Sequence, residues 1–305
     1  MDIIGKRFRF FLISGIIILI CVISLGVFGL AAGIEFSSGS QLTLAFDEEV
    51  DIAELRQELN NLGYDNAIVQ STGGGDFLIR TAVLSSEERT QLENDLEYRF
   101  GLLDIVDSVI VDPVTARQTA NIAAIAVAVA AVGIMLYVTW AFRRMPKPLR
   151  YGACAIIALL HDALVAVGIF SIIGGIFQWE VNLMFITGIL AVIGYSVNNT
   201  VVVFDRIREN LLKHMELDFE KVVNDSLAKS LTRSINTSLT TLIVVLALLL
   251  FIGSTIQNFA VVLLIGILAG TFSSLFIAPS LLVVWEKREW RRFISWLPFT
   301  KTGGR

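Results

Sequence analysis

Residues 152–176 read GACAIIALLHDALVAVGIFSIIGGI, and this run is the pattern that decides the fold. A helix rises about 1.5 Å per residue, so a run of this length crosses the roughly 30 Å hydrocarbon core of a bilayer. Similar apolar runs lie at 11–32, 120–142, 183–204, 235–253 and 258–285. The sequence therefore predicts a polytopic α-helical membrane protein with six transmembrane helices.

The composition agrees with this interpretation. Of the 305 residues, 55% are hydrophobic and 17% are charged, and the mean hydropathy is +0.71. Soluble domains carry about 25% charged residues. The composition therefore excludes intrinsic disorder and argues against an ordinary cytosolic enzyme.

The charges are segregated along the chain. The stretch 33–119 holds five arginines and seventeen acidic residues, a net charge of −12, whereas the rest of the chain has a net charge of +8. Basic residues concentrate before the first apolar run, between the second and third, between the fourth and fifth, and after the sixth. Because Lys and Arg favour cytoplasmic segments, both termini are predicted to be cytoplasmic and 33–119 to lie outside.

These boundaries divide the chain into four parts. Residues 1–32 form the cytoplasmic N-terminus and first helix, and 33–119 form the extracytoplasmic domain. Helices two to six occupy 120–285, with a cytoplasmic amphipathic loop at 205–232, and 286–305 form a basic cytoplasmic tail. The first run also has features of a signal peptide, but its apolar core is about twice the usual 7–15 residues, which favours a retained anchor.

The polar stretch 33–119 has the pattern of a small α+β domain. Alternating residues predict four strands, and two amphipathic segments predict helices, the second opened by a Ser85/Glu88 capping box. The predicted strands are Gln41–Phe46, Asn66–Thr72, Phe77–Val83 and Ile105–Val111, with a glycine turn at Gly73–Gly75. The order β-α-β-β-α-β is typical of a ferredoxin-like fold. The stretch contains no His or Cys, which excludes a disulfide and leaves binding or docking as its role.

Ionisable residues inside apolar spans are functional candidates, because burying charge in a bilayer is costly. His161 and Asp162 lie near the middle of the third run. They are interpreted either as polar groups that hold helices together or as a proton relay, and both readings stay open. No metal site is predicted.

Further polar and small residues mark helix contacts. In the fourth run, Ser196, Asn199 and Thr200 share one helical face, and Ser196, Asn198 and Thr200 are predicted to pack against other helices. Gly266 and Gly270, at G-x-x-x-G spacing, predict a close helix contact, and Pro279 should bend the sixth helix. A cytoplasmic charge cluster is predicted after the fourth run, formed by Asp205, Arg206, Arg208 and Glu209. Apolar residues recurring from Phe219 to Leu231 predict an amphipathic helix lying in the membrane interface.

Several of these motifs resemble the SecD/SecF family of protein-export membrane proteins, within the RND superfamily. The resemblance covers nearly the whole chain, and its most specific part is IGYSVNNTVVVFDRIREN at 193–210. The other motifs are GIEFSSG at 33–39, ALLHD at 158–162, TRSINTSLTT at 232–241 and GTFSSLFIAP at 270–279.

The resemblance implies a non-enzymatic accessory subunit of the Sec translocase, without a cofactor, in the bacterial cytoplasmic membrane. It implies SecD as partner in a twelve-helix unit, contact with the SecYEG channel and with YajC, and use of the proton-motive force to help draw a preprotein across. Because the exterior domain is acidic, nucleic acid is not expected as a partner. The alternative is an RND-type exporter of a small hydrophobic solute or lipid that acts as a homo-oligomer.

Two positions depart from the family pattern. The family usually has an aspartate, linked to the arginine matching Arg233, where this chain has Asn199, and an amide cannot titrate. Either the acid that carries the proton belongs to SecD, or proton coupling is lost in this subunit; His161 and Asp162 are candidates for a substitute relay. The second departure is Ser37, Ser38 and Gly39 in place of a Gly-Gly pair, a change that suits a turn equally well.

Overall fold

The computed structural model describes residues 2–71, 75–213, 216–251 and 256–289. Within these residues, six helical stretches are long and apolar enough to cross a membrane. They are α1 (Arg7–Val27), α5 (Pro113–Ala141), α6 (Pro148–Phe177), α7 (Leu183–Lys213), α8 (Phe219–Phe251) and a sixth stretch of α9 (Gln257–Phe272), a π-helical turn (Ser273–Ile277) and α10 (Ala278–Lys287). The six predicted spans are confirmed. The predicted tail 286–305 lies mostly outside the described residues.

Local chemistry defines where these helices begin and end. The Asp112 carboxylate accepts hydrogen bonds from the backbone N–H groups of Val114 and Thr115 at 2.9 and 3.0 Å, and Pro113 occupies the first helical position of α5. A proline is tolerated there because that N–H has no partner within the helix. The helix α5 thus starts seven residues before the apolar run that predicted it.

The six spans form a centre and a periphery. About half of the most apolar windows of α6 and α7 is buried, and 61% of that of the sixth span, against 17%, 6% and 17% for α1, α5 and α8. The helix α6 packs against α1, α5, α7 and α9, and α7 packs closely against α9. The apolar faces of α1 and α5 that remain exposed suit contact with lipid.

The stretch between α1 and α5 folds as a separate α+β unit, which we call the insert domain (residues 34–111). After the short α2 (Ile34–Ser37), its elements are β1 (Gly39–Phe46), α3 (Ile52–Asn61), β2 (Ile68–Ser71), β3 (Phe77–Thr81), α4 (Ser86–Phe100) and β4 (Leu103–Val111). The sheet order is β2-β3-β1-β4, with all neighbouring strands antiparallel.

The insert domain has its own apolar core, formed where α3 and α4 pack on one face of the sheet. Leu44, Leu55, Ile79 and Leu96 are fully buried in it. The Ser85/Glu88 capping box is present at the start of α4. Gly75 adopts a positive φ of 93°, whereas the rest of the predicted glycine turn, Gly73 and Gly74, lies outside the described residues.

The stretch 205–232 differs from its prediction as a loop with an interfacial helix. The helix α7 continues to Lys213, and α8 already begins at Phe219, so most of this stretch forms the ends of two long helices. Val223 and Leu227 are fully buried in the core of the bundle. Their helical spacing therefore reflects packing against protein, which produces the same pattern as packing against a membrane surface.

The sixth span contains the irregularity that Pro279 suggested. A π-helical turn, Ser273–Ile277, immediately precedes the segment that carries this proline. Proline has no N–H to continue the helical ladder, and π-helical turns relieve such a break. Ser273 and Ser274 are both fully buried at this turn and face neighbouring helices.

Candidate functional site

The candidate site centres on the Asp162 carboxylate, which is fully buried in the middle of the bundle. Its Oδ2 atom accepts hydrogen bonds from Ser196 Oγ of α7 at 2.5 Å and from Ser273 Oγ of the sixth span at 2.6 Å. Asp162 itself lies on α6. One carboxylate therefore joins the three most buried helices.

His161 completes this cluster. Its Nδ1 atom lies 2.9 Å from Asp162 Oδ1, although adjacent residues of a helix point about 100° apart. Its ring stacks near Phe272, with 6.5 Å between the ring centroids. The buried Nε2 atom has no hydrogen-bond partner among the described residues. We call Asp162, His161, Ser196 and Ser273 the carboxylate cluster.

The carboxylate cluster places a carboxyl group and an imidazole in direct contact. An ionised Asp162 accepts hydrogen bonds from two hydroxyls, and from His161 when the Nδ1 atom of its ring carries a hydrogen. The charge of the carboxylate is therefore well satisfied by donors. An ionised Asp162 beside a neutral His161 would carry one negative charge, and a proton gained by either group would remove it. In a low-dielectric interior such a change of charge alters the stability of the surrounding arrangement strongly.

A second polar group of residues lies beside this cluster, at the junction of α7, α8 and α9. Ser238 Oγ of α8 accepts hydrogen bonds from Tyr195 Oη at 3.1 Å and from Asn199 Nδ2 at 3.4 Å, and it lies 2.7 Å from Thr271 Oγ1. The next residue of α7, Thr200, has its Oγ1 atom 2.9 Å from Ser274 Oγ of the sixth span. Asn199 is thus a buried hydrogen-bond donor in a neutral environment.

Two predicted site residues lie elsewhere. Asn198 is exposed on α7, whereas Ser196 and Thr200 are buried, because a rotation of 100° per residue puts Asn198 on the opposite side of the helix. Arg233 is exposed on α8, fourteen residues after the helix begins. Its guanidinium makes no hydrogen bond or ion pair within the described part of the chain, and the carboxylate cluster does not include it.

The exposed side of α8 is unusually polar for a membrane span. Arg233, Asn236, Thr237 and Thr240 are all exposed and follow the i, i+3, i+4, i+7 spacing of one helical face. We call these four residues the α8 polar stripe. The Thr237 and Thr240 hydroxyls donate to backbone carbonyls of their own helix, at 2.9 Å each. Lipid cannot satisfy the side chains of Arg233 and Asn236, so this surface suits contact with a protein partner.

The predicted charge cluster at the end of α7 is a set of local ion pairs. Arg208 pairs with Asp205 at 2.6 Å and Arg206 with Glu209 at 2.5 Å, each three residues apart on the exposed helix surface. Exposed pairs of this type contribute little to stability, about 0.3–0.5 kcal/mol. Glu209 also pairs with Lys213 at 2.6 Å, and the Arg208 guanidinium lies over the Phe142 ring, 5.8 Å from its centroid, so the cluster contacts the end of α5.

A buried arginine near the N-terminus was not anticipated. Arg7 is 5% exposed, and its guanidinium pairs with Glu220 of α8 at 2.6 Å and with Glu289 after α10 at 2.7 Å. Both pairs join residues more than 200 positions apart, so no local signal in the sequence could reveal them. They hold the N-terminal end of α1 against the ends of the fifth and sixth spans.

Gly266 and Gly270 lie against α7, the contact that their spacing suggested. A Cβ atom at Gly266 would overlap the side chain of Val192, and one at Gly270 would lie 3.1 Å from Ser196 Cβ. The close approach of α7 and α9 places Ser196 against Gly270, three residues before Ser273, the other serine that donates to Asp162. The two glycines thus support the geometry of the carboxylate cluster.

Comparison with known proteins gives the family. Residues 93–288 match the family described as "Protein export membrane protein SecD/SecF, C-terminal". Two proteins named "Protein translocase subunit SecF" align over nearly their whole length: that of Thermobaculum terrenum is 43% identical over 96% of both chains, and that of Anaerolinea thermophila 41% identical over 97% of both.

Similar chains also occur as part of larger proteins. The "Protein translocase subunit SecDF" of Bacillus subtilis is 35% identical over 95% of this chain, which spans 39% of the relative. The crystal structure of SecDF from Thermus thermophilus, a translocon-associated membrane protein, matches 94% of this chain and 39% of its own, with 31% identity and a TM-score of 0.84. The chain therefore belongs to the SecD/SecF family of protein-export membrane proteins, as a SecF.

Proposed function

We propose that this protein is a non-enzymatic accessory subunit of the Sec protein translocase that, with SecD, uses the proton-motive force to promote preprotein export across the bacterial cytoplasmic membrane. The observation that carries the proposal is the 43% identity to a translocase subunit SecF over 96% of both chains. A fold alone would not support a function, but 43% identity over nearly the whole of both chains is more than a shared fold.

The partnership with SecD has two supports. In the SecDF relatives, the region that matches this chain makes up 39% of a longer polypeptide, and the name SecDF of these relatives supports SecD as the partner. The α8 polar stripe and the exposed Asn198 provide polar intramembrane groups for such a partner to cover. SecYEG, YajC and the translocating preprotein complete the proposed set of partners.

The charge pattern supports the orientation of the protein in the membrane. The insert domain lies within the stretch whose net charge is −12, and the basic residues flank the opposite ends of the spans. We place both termini in the cytoplasm and the insert domain on the extracytoplasmic side. The strand order β2-β3-β1-β4 and the two helices on one face support a ferredoxin-like fold for it.

The carboxylate cluster supports the use of a proton gradient. Asp162 is a fully buried acid within a membrane bundle, and the three helices that its hydrogen bonds join are the most buried ones. Burying an ionisable residue inside a membrane costs free energy, and such residues are typical of proton pathways. In this proposal, proton uptake at Asp162 or His161 changes how α6, α7 and the sixth span pack together.

Depletion of the protein tests the whole proposal. Inner-membrane vesicles from depleted cells should export preproteins slowly and lose the acceleration that a proton gradient provides, and restoring the protein should restore both. Purification in mild detergent should recover SecD and SecYEG with it. Normal export at every gradient, or a self-sufficient homo-oligomer that moves a hydrophobic solute, would contradict the proposal.

Asn199→Asp tests the position where the family usually carries an acid. The new carboxylate would be buried beside Ser238 and would add a second titratable group next to the carboxylate cluster. We expect the pH profile of gradient-stimulated export to shift, because two acids now share one proton path. The measurement is export in vesicles with SecD present, across a pH series. An unchanged profile would mean that this position takes no part in coupling.

A further inference from the structure

The short loop between α6 and α7, residues 178–182, carries the insert domain. Two backbone hydrogen bonds, from Gly33 N–H to the Val181 carbonyl and from Val181 N–H to the Ala31 carbonyl, are both 2.7 Å long. They form a parallel bridge at Ala32, where the chain leaves the first span for the insert domain. The loop that joins two central helices is thus hydrogen-bonded to the base of the domain.

A buried ion pair lies across the same junction. Arg80 of β3 is 7% exposed, and its guanidinium pairs with the Glu180 carboxylate of the loop. The Arg80 Nη2 atom also donates to the Ala32 carbonyl at 2.9 Å and to Ser37 Oγ at 2.7 Å. One side chain of the sheet therefore connects the loop to Ala32, before α2, and to Ser37, at the end of α2.

The loop is held from the membrane side as well. The Glu180 carbonyl accepts a hydrogen bond at 2.8 Å from Asn258 Nδ2, at the start of α9. At the other end of the loop, the Gln178 carbonyl accepts from Gln70 Nε2 of β2 at 2.5 Å. The loop is therefore clamped between the sheet of the insert domain and the beginning of the sixth span.

The three helices that meet at this loop are the helices of the carboxylate cluster. The helix α6 carries Asp162 and ends at the loop, α7 carries Ser196 and begins there, and α9 leads from Asn258 to Ser273. Asp162 lies sixteen residues before Gln178, about 24 Å along a helix. Because helices are stiff over this length, a shift of α6 against α7 at the cluster moves the two ends of the loop.

We propose that Arg80 and Glu180 are positioning residues that link the carboxylate cluster to the insert domain, so that a change in helix packing at Asp162 reorients the domain. This inference rests on the proposed function, because it assigns a mechanical output to proton uptake. The pair acts through the loop and does not itself lie on the proton path.

The electrostatics of the pair suit a contact that can be made and broken. Burial raises the pKa of Glu180, Arg80 lowers it in part, and the neighbouring Glu35 raises it further. A raised pKa means that the docked domain binds a proton at Glu180 more tightly than an undocked one, in which the carboxylate is in water. Docking therefore gains stability as the pH falls toward that pKa and loses it as the pH rises.

The test uses the complete complex with SecD and the channel in membrane vesicles, with Arg80→Ala and Glu180→Ala made singly and together. Each single variant should assemble with SecD and export at the rate of de-energised wild type, but lose the acceleration caused by the gradient. Because the residues act as one pair, the double variant should lose no more than either single variant. If the double variant lost much more of the gradient-driven acceleration than either single variant, the proposal would be overturned.

A distance measurement separates a link from a merely structural contact. Spin labels at Asn94 of α4 and Ile176 of α6, both exposed, report the position of the domain over the bundle, and the two native cysteines are buried. Arg80→Ala should broaden this distance distribution, and Arg80→Lys, which keeps the charge but loses the forked contacts, should give an intermediate result. An unchanged distribution with full gradient stimulation would overturn the link.

Two comparisons distinguish a failure of the Arg80–Glu180 link from a failure of the proposed function. Arg89→Ala removes a pair with Glu93 of α4 and a 3.4 Å hydrogen bond to Ser108 Oγ of β4. Both contacts lie inside the insert domain and away from the loop, so this variant should leave export and distances unchanged. If the wild-type complex itself shows no acceleration by a gradient, the proposed function fails and the link fails with it. If wild type responds and the Arg80 and Glu180 variants respond equally, only the link fails.

Discussion

Asp162→Asn is expected to abolish the dependence of export on the proton gradient while leaving the protein folded and bound to SecD. The amide oxygen can still accept from Ser196 and Ser273, and the amide N–H can donate to His161 Nδ1, so the hydrogen bonds survive. The group can no longer take up or release a proton. Export with a gradient should fall to the rate measured without one, while the export rate in de-energised vesicles stays as in wild type.

The matched control is Asp205→Asn, which neutralises an exposed acid paired within α7. It should leave the response to the gradient intact. Asp162→Ala serves as a second variant: it leaves two buried serine hydroxyls and His161 without their acceptor, at a cost of about 1–3 kcal/mol for each such group, and should lower thermal stability as well. Full gradient stimulation in Asp162→Asn would remove Asp162 from the proton path.

Gly266→Ala should destabilise the protein more than the same substitution at Gly270. The new Cβ atom would overlap the side chain of Val192, on the helix that carries Ser196. Overpacking of this kind costs about 1–3 kcal/mol and is not offset by the better helix propensity of alanine. We expect a lower midpoint of thermal unfolding in detergent and less protein in the membrane.

Gly133→Ala on α5 is the control with the same chemistry. A Cβ atom there meets nothing within 4 Å, so this variant should be as stable as wild type or slightly more so. If Gly266→Ala unfolded at the same temperature as Gly133→Ala, α7 and α9 would not be packed as described. The carboxylate cluster would then need a different explanation, since Ser196 and Ser273, which both donate to Asp162, lie on the two helices joined by that packing.

Much of the fold could be predicted because membrane helices and small sheets follow local rules. A run of apolar residues of sufficient length must form a helix in a bilayer, where backbone groups have no other partner. The alternation at Gln41–Phe46 and the Ser85/Glu88 box similarly indicate a strand and a helix start from a few neighbouring residues. The motif at 193–210 carries the resemblance to the family in the sequence alone.

The structure of 205–232 differs from the predicted loop with an interfacial helix because one sequence pattern fits two environments. Apolar residues at helical spacing predict an amphipathic helix, but the spacing does not say whether its apolar face meets lipid headgroups or protein. Val223 and Leu227 are buried against the bundle, and Asn210 Nδ2 donates to Ser226 Oγ at 2.7 Å between α7 and α8. That choice depends on where the other helices lie.

The sequence by itself determined the six spans, the order of strands and helices in the insert domain, and the scarcity of charge that made Asp162 a candidate. Only the tertiary structure brought Ser196 and Ser273 to Asp162, paired Arg80 with Glu180, and left Arg233 on an exposed face. The physical reason is the distance along the chain between the residues that interact. Helix formation and membrane insertion depend on neighbours within a few turns, whereas these contacts join residues 34 to 111 positions apart, and their geometry exists only after the helices have packed.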